Sequence, residues 1–82
     1  MHYLIIMEWA EECAGATDIL SVKHTMPEAI DTYREALETE KALAKDRGWE
    51  IIEDIPDCKF HATEKDYAAA NFVKLYIQCV PD

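Results

Sequence analysis

The sequence contains few glycines and few basic residues, and both shortages exclude classes of function. Gly15 and Gly48 are its two glycines, so it has no glycine-rich loop of the kind that holds a nucleotide phosphate. Eight Lys and Arg residues stand against 17 Asp and Glu residues, which gives a net charge of −9. A chain of that charge repels nucleic acid and anionic membrane surfaces. We therefore expect no direct binding to nucleic acid or membranes, and we expect an electrostatic partner to be basic.

The three cysteines are too few and too scattered for a disulfide framework. Cys13, Cys58 and Cys79 are an odd number in unrelated contexts, which is typical of free thiols in a reducing compartment. Cys58 and His61 have the spacing closest to a metal-ligand pair, but residues three apart in a strand point to opposite faces. No signature of a catalytic cysteine surrounds Cys13 or Cys58. The sequence therefore predicts no metal, no cofactor and no catalytic residue.

Long apolar runs are also missing. No run approaches the roughly 18 apolar residues of a membrane span. The N-terminal stretch MHYLIIMEWAEE has neither the basic region nor the small-residue cleavage site of a signal peptide, so we expect a cytoplasmic protein. The 82 residues contain no linker, repeat or low-complexity tract. We therefore expect residues 1–82 to form one small domain.

The clearest element that is present is a long amphipathic helix. Thr25 and Glu28 form a T-x-x-E capping box with Pro27 in the first turn, and Gly48 is a typical stop signal. These signals predict a helix that begins at Thr25 or Met26 and ends before Gly48. Its apolar residues recur at helical spacing and predict the side that packs on a core. They are Ile30, Tyr33, Leu37 and Ala44, flanked by Ala29, Ala36 and Leu43.

Strand signals lie on both sides of this helix. Residues 2–11 and the segment DILSVKHT predict an N-terminal hairpin, with Gly15 in its turn. After the helix, KFHATE and FVKLYIQCV predict two strands, whereas WEIIEDIPDC fits either a further strand or an extended chain leading to Pro56. The order ββαββ predicts an α+β fold, in which an antiparallel sheet of three to five strands packs one face against the long helix.

The first and last strands are apolar on both faces, so we expect them in the centre of the sheet. In the last strand, Phe72 and Tyr76 share the second face. One helix covers one face, so either residues 49–70 cover the other or it is an exposed apolar patch of the kind that marks association. A homodimer or a docked partner is therefore expected. The first strand has Tyr3, Ile5, Met7 and Trp9 on one face and Leu4, Ile6 and Ala10 on the other.

Acidic residues form the most distinctive pattern of the sequence. Carboxylates recur along the helix opposite its apolar side, where like charges cost about 0.2–0.5 kcal/mol a pair. Arg34 and Lys41 offset this cost, so a merely solvated face remains an alternative. Basic residues are few outside residues 34–47, however. Paired carboxylates after the helix would need a cleft that shifts one pKa to act in acid–base catalysis, whereas short acidic clusters are usually solvated loops. We predict a partner-binding surface made of Glu28, Asp31, Glu35, Glu38, Glu50, Glu53, Asp54 and Asp57.

In size, in charge and in the plan of a small sheet with one acidic helix, the chain resembles small proteins encoded by bacteriophages and mobile elements. These include anti-CRISPR proteins and other inhibitors of host defence. They share no common motif, so no residue roles carry over. The resemblance implies a non-enzymatic inhibitor that acts as a DNA mimic, with its carboxylates in the Lys and Arg sites of a basic nucleic-acid-handling protein.

Two other functions remain open. One is a homodimeric accessory or structural protein that associates through the apolar second face of its sheet. The other is a binder of a small molecule or a nucleotide signal, which requires an anion-binding pocket at a subunit junction. The scarcity of basic residues argues against this last function.

Overall fold

The computed structural model describes residues 1–12, 14–65 and 71–81. Its strands form one antiparallel sheet in the order β2-β1-β5-β4-β3, and the helix packs on one face of it. The α+β class and the strand number are confirmed, whereas the expected order ββαββ is wrong, because a sixth element gives ββαβββ. In chain order the elements are β1 (His2–Glu11), β2 (Ala14–Lys23), α1 (Met26–Arg47), β3 (Glu50–Ile55), β4 (Lys59–Thr63) and β5 (Phe72–Val80).

The strand that changes the order is β3, in the segment that fitted either a strand or an extended chain. Pro56 lies in a tight turn rather than at the end of an isolated segment. There the N–H of Cys58 donates to the carbonyl of Ile55 at 3.1 Å, and Asp57 has a φ of 55°, which aspartate tolerates better than most residues. The chain reverses, and Ile55 pairs with Lys59 of β4. Pro56 therefore lies in the turn of a β-hairpin formed by β3 and β4, and it does not end an extended segment.

The turn between β1 and β2 also differs from the expectation. It was placed at Gly15, but Gly15 lies inside β2 opposite Ala10, and the positive φ of 48° belongs to Glu12. Gly15 is required by close approach, because a Cβ there would lie 2.7 Å from the carbonyl oxygen of Trp9. Cys13 lies outside the described residues.

A bulge in β2 interrupts the alternation of its side chains between the two faces of the sheet. Ile5 lies opposite Ser21 and Ile6 lies opposite Ile19, so Leu20 is the extra residue. Ile19 and Val22 therefore share one face of the sheet, although they are three residues apart.

The helix follows its capping signals. Thr25 has an extended backbone, and its hydroxyl accepts from the N–H of Glu28 at 3.4 Å and donates to the Glu28 carboxylate at 2.7 Å. At the other end Gly48 has a φ of 70°, and the N–H of Trp49 donates a hydrogen bond to the carbonyl of Ala44 at 2.9 Å. This left-handed cap favours glycine. The predicted helix is confirmed, with its first residue at Met26.

The core lies between α1 and the three inner strands of the sheet. The β1 residues Tyr3, Ile5, Met7 and Trp9 lie under the helix, and β1 and β5 pair with each other in the interior, as expected. No residue of β2 or β3 belongs to this core among the described residues. The fully buried members are Ile5, Ala29, Tyr33, Ala44, Phe60, Ala62, Val73 and Leu75.

The second face of the sheet remains uncovered by the described part of residues 49–70. That part builds β3 and β4, which widen the sheet instead of lying across it. Ile6 is nevertheless only 5 % exposed, although it lies outside the core under the helix. In the register it lies between Ile19 of β2 and Tyr76 of β5.

Tyr33 is the largest buried side chain, and its hydroxyl has no hydrogen-bond partner among the described residues. An unpaired buried hydroxyl costs about 1–3 kcal/mol. Tyr33→Phe is therefore expected to unfold at the same or a higher urea concentration than the wild type at pH 7. Tyr33→Ala, which leaves a cavity, is expected to lose about 3–5 kcal/mol. A Phe variant clearly less stable than the wild type would contradict this account.

The same side chain gives a pH signature. Burial, followed by the negative charge of Asp54, raises the pKa of Tyr33 from 10.0 to about 12. The unfolded chain then releases this proton at lower pH than the folded one, so stability falls as the pH rises through this window. We expect the wild type to lose more stability than Tyr33→Phe between pH 10 and pH 12, measured by urea unfolding at each pH.

Candidate functional site

The four predicted carboxylates of the helix form one exposed surface, here called the acidic helix face. The helix turns about 100° per residue, which places these carboxylates on the side opposite Tyr33. The N-cap and the C-cap fix both ends of the helix that carries these carboxylates. The acidic helix face consists of Glu28, Asp31, Glu35 and Glu38, all of them exposed.

The first of these carboxylates is engaged locally. Glu28 accepts a hydrogen bond from the Thr25 hydroxyl in the helix cap. Among the described residues, no ion pair involves Asp31, Glu35 or Glu38. Three carboxylates are therefore available to a partner along about two turns of helix.

Two basic residues of the helix, Arg34 and Lys41, form ion pairs away from this face. The Nε and Nη2 atoms of Arg34 donate to the two carboxylate oxygens of Asp57, at 2.7 and 2.8 Å. The Nζ atom of Lys41 lies 2.6 Å from a carboxylate oxygen of Asp54. The sequence suggested that Arg34 and Lys41 offset the repulsion within the helix face. The structure pairs both with the β3 side of the sheet. The hydrogen bond to Asp57 raises the pKa of Arg34, and the charge of Asp31 still contributes to this shift.

The four predicted carboxylates after the helix do not form one surface. Asp54 and Asp57 lie on the helix side and pair with its basic residues. Glu53 is paired on the other face of the sheet, with the Lys59 ammonium 2.9 Å away, and Glu50 is exposed at the beginning of β3, opposite Thr63. The structure thus brings together the helix half of the predicted set and separates the other half.

The second face of the sheet, here called the open sheet face, has a nearly balanced charge. Residues opposite one another in the register share a face, which gives one row of charged residues and one mainly apolar row. Burial and the nearby Lys74 lower the pKa of His61, so its ring is neutral at pH 7. The two carboxylates and two ammonium groups of these rows cancel, and Glu50, opposite Thr63 on the same face, adds one negative charge. The rows are Glu8, Lys74, His61 and Glu53, and Ile19, Ile6, Tyr76, Lys59 and Ile55.

Exposed apolar side chains are concentrated at the two edges of this sheet. On β2, Ile19 is 59 % exposed, and on β3, Ile52 is 50 % exposed. Edge strands also carry unpaired backbone groups that favour association with another strand. The exposed large side chains of these strands are Ile19, Leu20 and Val22 on β2, and Ile51, Ile52 and Ile55 on β3.

A pocket of about 220 Å³ lies between the C-terminal half of α1 and the adjoining ends of β1 and β5. We call it the tryptophan pocket, because both tryptophans of the chain, Trp9 and Trp49, line it. Its polar groups come from Glu11, Glu40 and Arg47. Burial raises the pKa of Glu40, and the charge of Arg47 partly opposes this shift.

Sequence reasoning missed Glu40 as a functional candidate. The residue follows Tyr33 by seven positions and precedes Ala44 by four, so helical spacing places it in the middle of the side that packs on the sheet. A carboxylate on the apolar side of an amphipathic helix is the sequence signal that identifies Glu40 as a candidate. The predicted site counted the outward carboxylates and left this inward one aside.

The comparisons with known proteins add no relative. No family model matches the chain, and neither does any curated protein or solved structure. In the part of the chain that the structure describes, no three His, Cys, Asp or Glu side chains are grouped so as to hold a metal ion. None of the described helices has the length and apolarity needed to cross a bilayer.

The pairing of Arg34 with Asp57 can be tested through its pH dependence. The hydrogen bond from Arg34 lowers the pKa of Asp57 below its ordinary value of 3.8. The pair therefore stabilises the fold above that value, and the contribution is lost as the pH falls through the lowered pKa. Arg34→Met is expected to melt earlier than the wild type at pH 7, with a difference that disappears in strong acid and shrinks in high salt.

A matched control removes a positive charge from the same helix. Lys45 is exposed in the last turn and has no ion pair among the described residues. Lys45→Met should change the melting temperature less than Arg34→Met at pH 7. Equal effects of the two variants would show that net charge, and not the Asp57 contact, is responsible.

Proposed function

We propose that this protein is a non-enzymatic binding protein whose acidic helix face occupies a basic surface on a partner that handles nucleic acid. The observation that carries the proposal is the pairing of Arg34 and Lys41 with the β3 side of the sheet. Among the described residues, Asp31, Glu35 and Glu38 are left without an ion pair. A basic partner supplies the missing positive charge.

The geometry suits a row of Lys and Arg side chains. Asp31, Glu35 and Glu38 follow one another at helical spacings of four and three, about 5–6 Å apart. Surfaces that bind nucleic acid present Lys and Arg in rows, and an arginine can form two hydrogen bonds with one carboxylate. The capped helix holds the three groups in place, which reduces the entropy lost on binding.

The specific form of this proposal is an inhibitor of host defence encoded by a phage or mobile element. Its support is the resemblance in size, charge and plan to anti-CRISPR proteins, together with the exposed acidic helix face. In this form the protein acts in the cytoplasm and competes with DNA or RNA for the partner. The exposed free thiols of Cys58 and Cys79 accord with a reducing compartment.

The proposal predicts binding that depends on salt and on the helix face. The experiment immobilises the wild type and a Glu35→Lys, Glu38→Lys variant and exposes both to nuclease-treated bacterial lysate. The wild type should retain a basic protein that is released in about 1 M salt, where screening acts beyond about 3 Å. For the purified partner, the reversal should weaken binding by about tenfold to a hundredfold, because like charges then face each other.

A control variant separates the helix face from general net charge. Glu12→Lys with Glu50→Lys makes the same change in charge at two exposed positions outside the helix, and it should bind like the wild type. Added DNA should displace the partner from the wild type. Equal loss in both variants, or a partner that DNA does not displace, would refute a local DNA-mimicking surface.

A homodimer formed through the open sheet face is the second candidate function, in an accessory or structural role. The observation that favours it is the low charge of this face: the chain has a net charge of −9, whereas three carboxylates and two ammonium groups give the strands of this face a charge of −1. Two copies repel each other least when they approach through that face. The exposed Ile19 and Ile55, at opposite edges of its apolar row, then add buried apolar area.

This candidate predicts a mass of twice 9.4 kDa in light scattering. Ile19→Lys with Ile55→Lys should shift the protein to the monomer, because each lysine places an unpaired charge in the interface. Thr39→Lys with Ala42→Lys adds the same charge on the helix and should leave the dimer intact. A wild type that remains monomeric at high micromolar concentration would exclude this function and leave the acidic helix face unaffected.

A further inference from the structure

The tryptophan pocket combines aromatic walls with two carboxylates, a pairing that neither the acidic helix face nor the open sheet face uses. We propose that it binds a small organic cation, an alkylated ammonium group held against Trp9 and Trp49 and neutralised by Glu40 and Glu11. Glu40 lies on the inward side of α1, so this site is independent of the proposed function.

The aromatic walls are arranged to receive a cation. The guanidinium carbon of Arg47 lies over the Trp49 ring, 5.1 Å from its centroid, so a ligand cation would use the Trp9 ring and the part of the Trp49 ring that Arg47 leaves open. The Trp9 ring is held by its own indole N–H, which donates to Asp18 at 3.0 Å. Such contacts with tryptophan contribute about 0.5–1 kcal/mol when exposed and about 2 kcal/mol when desolvated. The Phe72 ring is directed elsewhere, against His61 and Lys74 on the open sheet face.

The charges of the pocket leave room for one more cation. Glu11 and Glu40 provide two carboxylates, and Arg47 provides one guanidinium, which lies 3.9 Å from Glu11 at its nearest approach. That distance is long for an ion pair with direct hydrogen bonds. Glu40 is half-buried, and burial raises its pKa. A bound cation would make the pocket neutral and offset the cost of holding Glu40 ionised.

The size of the pocket limits the ligand. Its volume is about 220 Å³, whereas a cavity of about 150 Å³ accommodates benzene and drug-sized ligands occupy about 300–1,000 Å³. A trimethylammonium group with a short substituent fits this range. A nucleotide is too large, and its phosphates would meet the two carboxylates.

The two tryptophans make the binding measurable, because no other tryptophan occurs in the chain. The experiment titrates the full chain with choline and with 3,3-dimethyl-1-butanol, its uncharged analogue, and follows the two indole N–H signals by NMR. Choline should shift both signals in a saturable way, and the neutral analogue should bind at least about tenfold more weakly. Equal binding of the two compounds would overturn the proposal in favour of a merely apolar pocket, and no saturable shift would overturn it outright.

A matched pair of variants on α1 locates the charge. Glu40→Gln should weaken choline binding by about tenfold, whereas Glu38→Gln, the same change on the outward side, should leave it unchanged. Circular dichroism checks that both variants fold. For the wild type, binding should weaken as the pH falls through the raised pKa of Glu40, whose charged neighbours in the pocket are Glu11 from β1 and Arg47 from α1. Affinity that is the same in both variants and insensitive to pH would remove Glu40 from the site.

Discussion

The structure depends on one mismatch of width: a single helix must cover a five-stranded sheet. A helix with its side chains is about 10–12 Å across, whereas five strands about 4.8 Å apart span about 19 Å between the outer ones. The described part of the core accordingly draws on α1, β1, β4 and β5. The edge strands β2 and β3 lie beyond the cover of the helix, and their exposed Ile, Leu and Val side chains are the consequence.

The attachment of β3 to α1 determines which basic residues of the helix form ion pairs. Because apolar packing does not hold β3 and its turn to α1, ion pairs connect them: Lys41 with Asp54, and Arg34 with Asp57. Each pair uses a basic residue that would otherwise lie beside Asp31, Glu35 or Glu38. The acidic helix face therefore results from the ion pairs that attach the outer strand of a wide sheet to a narrow helix.

The sequence predicted best what is encoded locally. Capping signals gave both ends of α1, and alternation gave the core-facing sides of β1 and β5. Sequence reasoning failed where contacts between residues far apart in the chain determine the structure. Arg34 and Asp57 are 23 positions apart, and nothing near either one predicts their contact. Of the eight predicted carboxylates, the helical ones follow from the periodicity of one element. The separation of the other four depends on which face of β3 each occupies, and that depends on a turn at Pro56.

The two proposed sites lie on opposite sides of one helix, and the physics of exposure distinguishes their ligands. Glu38 and Glu40 are two residues apart and about 200° apart around the helix. An exposed carboxylate gains only about 0–1 kcal/mol from one cation, so the outward face binds usefully only when a macromolecule contacts several carboxylates at once. The inward Glu40 is half-buried beside aromatic rings, where a single small cation interacts more strongly. The net charge of −9 would attract both proposed ligands, and burial would determine which one each side retains.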